Sequence, residues 1–133
     1  MTYALDSNII IHLLNSNAHV LIKKDEAVAA GERFIIPPVV DYEIRRGFFY
    51  KSYPKKEAVY LSLTSHYGIG EMTDVAWKRS ASLFAELRRK GFTIGDADIF
   101  IASFCIVNNF VLVTDNTKHF ECVDTLQLVN WAE

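Results

Sequence analysis

The sequence predicts an α/β fold in a single domain, a short and mostly parallel central sheet with helices on both faces. Three observations predict it. Short β-branched or aromatic runs alternate with longer helical patterns, as parallel strands joined by helices require. A chain of 133 residues that is 50% hydrophobic can fill one packed core and needs no second domain, so one unit spans 1–133. Acidic residues recur where strands end or helices begin, which in open α/β sheets is where the ligand crevice lies.

The elements follow in order. A strand over 2–5 stops at Asp6, and Ser7-Asn8 opens a helical run over 8–14 that carries Ile9, Ile10, Ile11, Leu13 and Leu14. A second helix covers 18–30, with Gly31 as its C-terminal stop. Phe34-Ile35-Ile36 forms the second strand, ended by Pro37-Pro38, and 39–50 is helical. Residues 51–56 read as an interhelical turn. Pro54 starts the next helix, which runs through His66 with Ala58, Val59 and Leu61 facing inward. After Gly68 and Gly70, residues 72–90 carry the longest pattern (Val75, Trp77, Ala81, Leu83, Phe84, Leu87). Thr73 is its cap, and Arg88-Arg89-Lys90 lie where the helix dipole favours cations. Gly91 ends it. A helix over 95–107, a strand over 110–114 and a closing strand over 126–129 complete the chain. There is no internal repeat or low-complexity tract.

A net charge of −2 and a pI near 6.1 do not mark a bulk nucleic-acid binder, so a phosphate-rich partner must be held by local basic patches. Cys105 and Cys122 form no CxxC pair and no disulfide framework, and read as reduced thiols. No basic n-region precedes an apolar stretch and no window approaches 18 apolar residues, so the expected protein is soluble and cytoplasmic, with no membrane partner.

The candidate chemistry lies in the acids. Asp6 follows the first strand, Glu43 lies on the helix after the second, Asp96 and Asp98 open a helix, and Asp115 follows the strand over 110–114. Each has a structural use as well. Asp6 and Asp96 serve as helix caps, Asp98 gains from the first-turn dipole, Glu43 is a partly solvated helix residue and Asp115 a turn residue. Together, however, they point at one edge of a parallel sheet, where mutual repulsion raises their pKa values unless a cation neutralises them. Hard oxygen ligands without His or Cys spacing indicate Mg²⁺ or Mn²⁺ over zinc.

The opening ALDSNIIIHLL, Glu43 within VVDYEIRRG, the segment IGDADIFIAS and the late VLVTDNTKHF resemble, in order and separation, the motifs of PIN domains, specifically of VapC-type toxins of toxin–antitoxin modules. The resemblance covers essentially the whole chain and implies a PIN-like fold acting as a Mg²⁺- or Mn²⁺-dependent endoribonuclease. By it, Asp6, Glu43 and Asp98 match the family's three acids, and Asp96 is an extra acid that reaches the metal through water. The fourth position falls on either Asp115 or Asn116. Hydrolysis would leave 5′-phosphate and 3′-hydroxyl ends. Ser7, Asn8 and Thr114 are small polar neighbours that orient ligands or touch substrate, or else cap the helix and strand ends. Two rivals stand beside this reading: a PIN-like binding or scaffold domain without turnover, and a phosphomonoesterase with Asp6 as nucleophile, although the second acid such an enzyme wants at position 8 is Asn8.

Arg46 lies three residues after Glu43 and shares its helix face, where it binds phosphate or pairs with the carboxylate. Lys51, Lys55, Lys56 and 88–90 line an RNA path or a solvated face, and Lys118 and His119 stand at the mouth of the site. His12 and His66 have no partner spacing and receive no role. Phe48, Phe49, Tyr50, Tyr53 and Tyr60 form an aromatic region that divides between core and interface. The resemblance assigns that interface to a homodimer and a cognate antitoxin.

Overall fold

The computed structural model describes residues 1–133. Its elements are β1 (Thr2–Leu5), α1 (Ser7–Leu14), α2 (Ala18–Ala29), β2 (Arg33–Ile35), α3 (Pro38–Tyr50), α4 (Pro54–Tyr67), α5 (Asp74–Arg89), α6 (Asp96–Asn108), β3 (Val111–Val113), α7 (Thr117–Phe120) and β4 (Gln127–Val129). The four strands form one sheet ordered β2-β1-β3-β4, and every pairing is parallel. Ala4 pairs with Ile35 on one side and Leu112 on the other. Successive strand residues face opposite sides of a sheet, and Ala4 and Leu5 are both fully buried, so helices cover both faces at β1. No helix is long and apolar enough to cross a membrane.

The strand order places the site. From β1 the chain crosses to β2 on one side and later returns to β3 on the other, so the direction of winding reverses between β1 and β3. The crevice outside the C-terminal ends of those two strands is the switch point at which α/β sheets bind ligands. Asp6 follows β1 and Thr114-Asp115 follow β3 at that point.

The expected elements form close to their sequence boundaries, with four differences. The sheet is wholly parallel. The four-residue α7 is an additional element, too short to show a period. On α4 the expected inward residues Ala58, Val59 and Leu61 are exposed, and Tyr60 is buried in their place. Its hydroxyl donates to Asp41 Oδ1 at 2.7 Å, which satisfies the polar tip and lets the ring enter the core. On α5 the buried residues are Ala76, Ser80, Leu83 and Leu87, while Val75, Trp77, Ala81 and Phe84 face outward. Ser80 can be buried because its hydroxyl donates to the Ala76 carbonyl at 2.9 Å. Trp77 packs against Phe100 on α6 in a T-shaped pair.

Gly31 takes φ +78°, as the expected stop of α2 requires. Gly70 has a different constraint: a Cβ there would lie 2.3 Å from the buried Phe104 ring, so the chain passes that ring only as glycine. Cys105 is free and buried, and Cys122 is free and half-buried.

Candidate active site

Asp6 is the centre of a polar latch between β1 and β3. It caps α1 through Oδ1, which accepts from the Ser7 backbone N–H at 2.8 Å. Oδ2 accepts from the Thr114 hydroxyl at 2.8 Å and faces Asn8 Nδ2 at 3.4 Å. Thr114 Oγ1 in turn accepts from Asn8 Nδ2 at 3.2 Å and from the Asn116 backbone N–H at 3.1 Å. Asn8 Oδ1 accepts from the Asp115 backbone N–H at 3.2 Å. Asp6 therefore caps α1 with one oxygen and ties β1 to the end of β3 with the other. Ser7 contributes its backbone, and Asn8 and Thr114 spend their side chains on holding Asp6 and the turn after β3.

Asp6 is only 5% exposed. Burial raises its carboxyl pKa, the Thr114 and Ser7 hydrogen bonds oppose that rise, and the charges of Asp98 and Asp115 add to it. Glu43 on α3 belongs to the same field. Its pKa is raised first by burial and then by Asp6, lowered by Arg46, and raised again by Asp98. Arg46 Nη2 stands 3.9 Å from Glu43 Oε2, and the Arg46 side chain remains largely exposed. The other oxygen, Glu43 Oε1, is buried and has no hydrogen-bond partner. An unpartnered buried carboxylate oxygen among like charges is costly, and it is the one feature here that the protein does not satisfy from within.

Asp98 and Asp115 are held by histidines. His119 Nε2 lies 2.7 Å from Asp98 Oδ2, and His12 Nε2 lies 2.9 Å from Asp115 Oδ2. Neither pairing was legible in the sequence, since the partners are 21 and 103 residues apart. One signal was present for His12: it lies four positions after Asn8 on α1 and so shares the face that meets Asp115. Asp96 stands apart. It occupies the exposed first position of α6, Gly95 takes the cap position expected of Asp96, and no side chain caps that helix. Asn116 holds the cap position of α7 without a side-chain cap bond.

The donors available at the crevice are carboxylate oxygens, which suit a hard divalent cation. The unpartnered Glu43 oxygen fits such a group. The carboxylates are not drawn into a ready-made cage, because no three His, Cys, Asp or Glu side chains converge closely enough to hold an ion.

Ribonuclease VapC2 of Rickettsia felis is 32% identical to this chain over 134 aligned residues, 98% of each chain. Ribonuclease VapC1 of Haemophilus influenzae strain R2866 is 25% identical over the full length of both. Among solved structures, VapBC2 from Rickettsia felis bound to a DNA fragment from its promoter superposes with a TM-score of 0.89 at 29% identity, covering 98% of this chain and 99% of the other. VapBC-1 from nontypeable Haemophilus influenzae gives 0.88 at 25% identity over the whole of both chains. The PIN domain model matches residues 3–126, nearly the whole chain, and the chain therefore belongs to the PIN domain family.

Proposed function

We propose that the protein is an endoribonuclease dependent on Mg²⁺ or Mn²⁺ and the toxin half of a toxin–antitoxin module. The observation that carries this reading is the buried, unpartnered Glu43 oxygen in the field of Asp6 and Asp98. Relatives named ribonuclease VapC along the whole chain support it. Asp6, Glu43 and Asp98 would hold the cation, with Asp115 at the fourth position in preference to Asn116, since its charge reaches Asp6. Asp96 would act through water. A cation held there would lower the pKa of a bound water and neutralise charge on a phosphodiester. Thr114 and Asn8 fix the Asp6 carboxylate, and Arg46 offers an exposed guanidinium to the phosphate beside Glu43. RNA is then hydrolysed to 5′-phosphate and 3′-hydroxyl ends.

Purified protein is expected to cut structured RNA with Mg²⁺ or Mn²⁺ and to lose that activity in EDTA. Full activity in excess EDTA would remove the metal from the mechanism. The reading as a binding domain without turnover rests on Asp98 and Asp115 already being paired with histidines. Calorimetric Mn²⁺ binding with no cleavage of any RNA would favour it. Nothing in the site favours a phosphomonoesterase, because position 8 is an amide that holds Asp6 and Thr114.

The partner surface lies beside the site. A groove of about 250 Å³ between α1, α3 and α4 is lined by Ile11, Leu14, Ile44, Phe48 and Tyr53, with Glu43 at its polar side. Phe49 and Tyr50 are 91% and 93% exposed at the end of α3, which is more apolar surface than solvent alone favours. We assign the groove to an amphipathic antitoxin segment and the exposed aromatics to a homodimer contact. Light scattering should give a dimer, and co-expression with the antitoxin should protect Tyr53 from nitration. A monomer at high concentration would rule out the dimer contact, and unchanged Tyr53 reactivity would rule out the groove assignment.

A further inference from the structure

A second cleft, of about 440 Å³, opens between the α5–α6 loop and α7. Phe92, Thr93 and Ile94 form one wall, and Lys118, His119 and Glu121 the other. His119 is shared: it lines the cleft while its Nε2 holds Asp98 Oδ2, so the cleft is continuous with the acid cluster. Phe92 is 45% exposed and stacks on no other aromatic ring, although its backbone N–H is fixed to the Leu87 carbonyl at 2.8 Å. Lys118 is exposed and makes no ion pair.

We infer that this cleft is a nucleotide subsite that receives the base next to the scissile phosphate of a single-stranded RNA segment, with Phe92 as the stacking platform and Lys118 on the flanking phosphate. The inference rests on the nuclease reading of the acid cluster and adds the path of the substrate away from it. An aromatic face on an anchored loop, opposite a free cation, matches how single-stranded nucleic acids are held, with bases stacked on rings and the backbone on lysine or arginine. The volume is of the size that takes a small ligand. Glu121 at the rim repels a second phosphate, so the strand enters with its base inward and one phosphate at Lys118.

The test uses the full chain and a fluorescein-labelled single-stranded RNA of roughly ten nucleotides, within the site sizes of single-strand binders. Anisotropy titrations in EDTA read binding without cleavage, and steady-state cleavage with Mn²⁺ reads KM and kcat. Phe92→Ala should weaken binding and raise KM about tenfold with kcat little changed, the scale of one lost stacked base. Phe92→Trp should restore both, and its indole fluorescence should be quenched by the RNA. Lys118→Ala should weaken binding and flatten the salt dependence of log Kd by about 0.7, as one lost phosphate contact requires. A Phe92→Ala, Lys118→Ala double variant that binds and cleaves as the wild type does would overturn the subsite and leave the nuclease reading intact. Loss of oligonucleotide binding in these variants, in a protein that cuts no RNA, would support the subsite and refute the nuclease. A segment of a partner protein in the cleft would show as weaker partner capture by Phe92→Ala with RNA binding unchanged, and would overturn the inference.

Discussion

Asp98→Asn is expected to lower single-turnover RNA cleavage by roughly two or more orders of magnitude, the scale on which a lost electrostatic stabiliser acts, with the circular dichroism spectrum unchanged. Asparagine is nearly isosteric with aspartate, and Asp98 lies in the first turn of α6 with one oxygen on His119, so the substitution removes charge without opening a cavity. Asp96→Asn is the contrast. Asp96 is exposed, makes no side-chain hydrogen bond or ion pair, and does not cap its helix. An acid that reaches a cation only through water should cost about tenfold to a hundredfold on replacement, as outer partners of metal ligands do. Cleavage rates and Mn²⁺ affinities of the two variants, measured together, decide the assignment. If Asp96→Asn is the more damaging, the two residues must exchange roles.

Glu43→Gln should separate stability from turnover. Burial, and after it the charges of Asp6 and Asp98, hold the Glu43 carboxyl above the ordinary glutamate range in the fold, against the opposing effect of Arg46. A carboxyl with a raised folded pKa binds more protons in the native state than in the unfolded chain. The free energy of unfolding therefore falls as pH rises from the unfolded pKa to the folded one, and above that window the full cost of the buried charge is present. Glutamine carries no such cost. In EDTA at neutral pH the variant should melt above the wild type, and the difference should vanish at a pH low enough to protonate the wild-type carboxyl. Cleavage should fall roughly a hundredfold or more. Mn²⁺ should raise the wild-type melting temperature by mass action and raise that of the variant less. A variant that melts below the wild type at every pH would contradict this account of Glu43.

Much of this arrangement is legible in the sequence because strand ends and helix starts are punctuated locally. Asp6 stops an apolar run, Pro37-Pro38 closes another, and Gly31 and Gly91 end their helices. Parallel topology then brings Asp6, at the end of β1, beside Thr114 and Asp115 after β3. Helix faces were harder to read. On α4, hydrophobicity pointed to Val59 and Leu61, but Tyr60 enters the core because Asp41, nineteen residues earlier, accepts a hydrogen bond from its hydroxyl. On α5 the buried stripe runs through the small residues Ala76 and Ser80, which carry little hydrophobic signal. The two histidine–carboxylate pairs were hidden for a different reason, since no local pattern links a side chain to a partner in another element.

The latch between Asp6 and Thr114 also has a consequence in time. Its two residues are 108 positions apart, and β1 has no complete set of neighbours until β3 is made. On a ribosome the first acid emerges 108 residues ahead of the hydroxyl that orients it, and the turn carrying Asp115 follows that hydroxyl. Non-local pairings of this kind form late in folding. An unfinished chain, or one cut short before residue 114, therefore carries Asp6, Glu43 and Asp98 without the scaffold that assembles them. Asp6 is therefore presented in its fixed orientation only once β3 has joined β1 in the sheet.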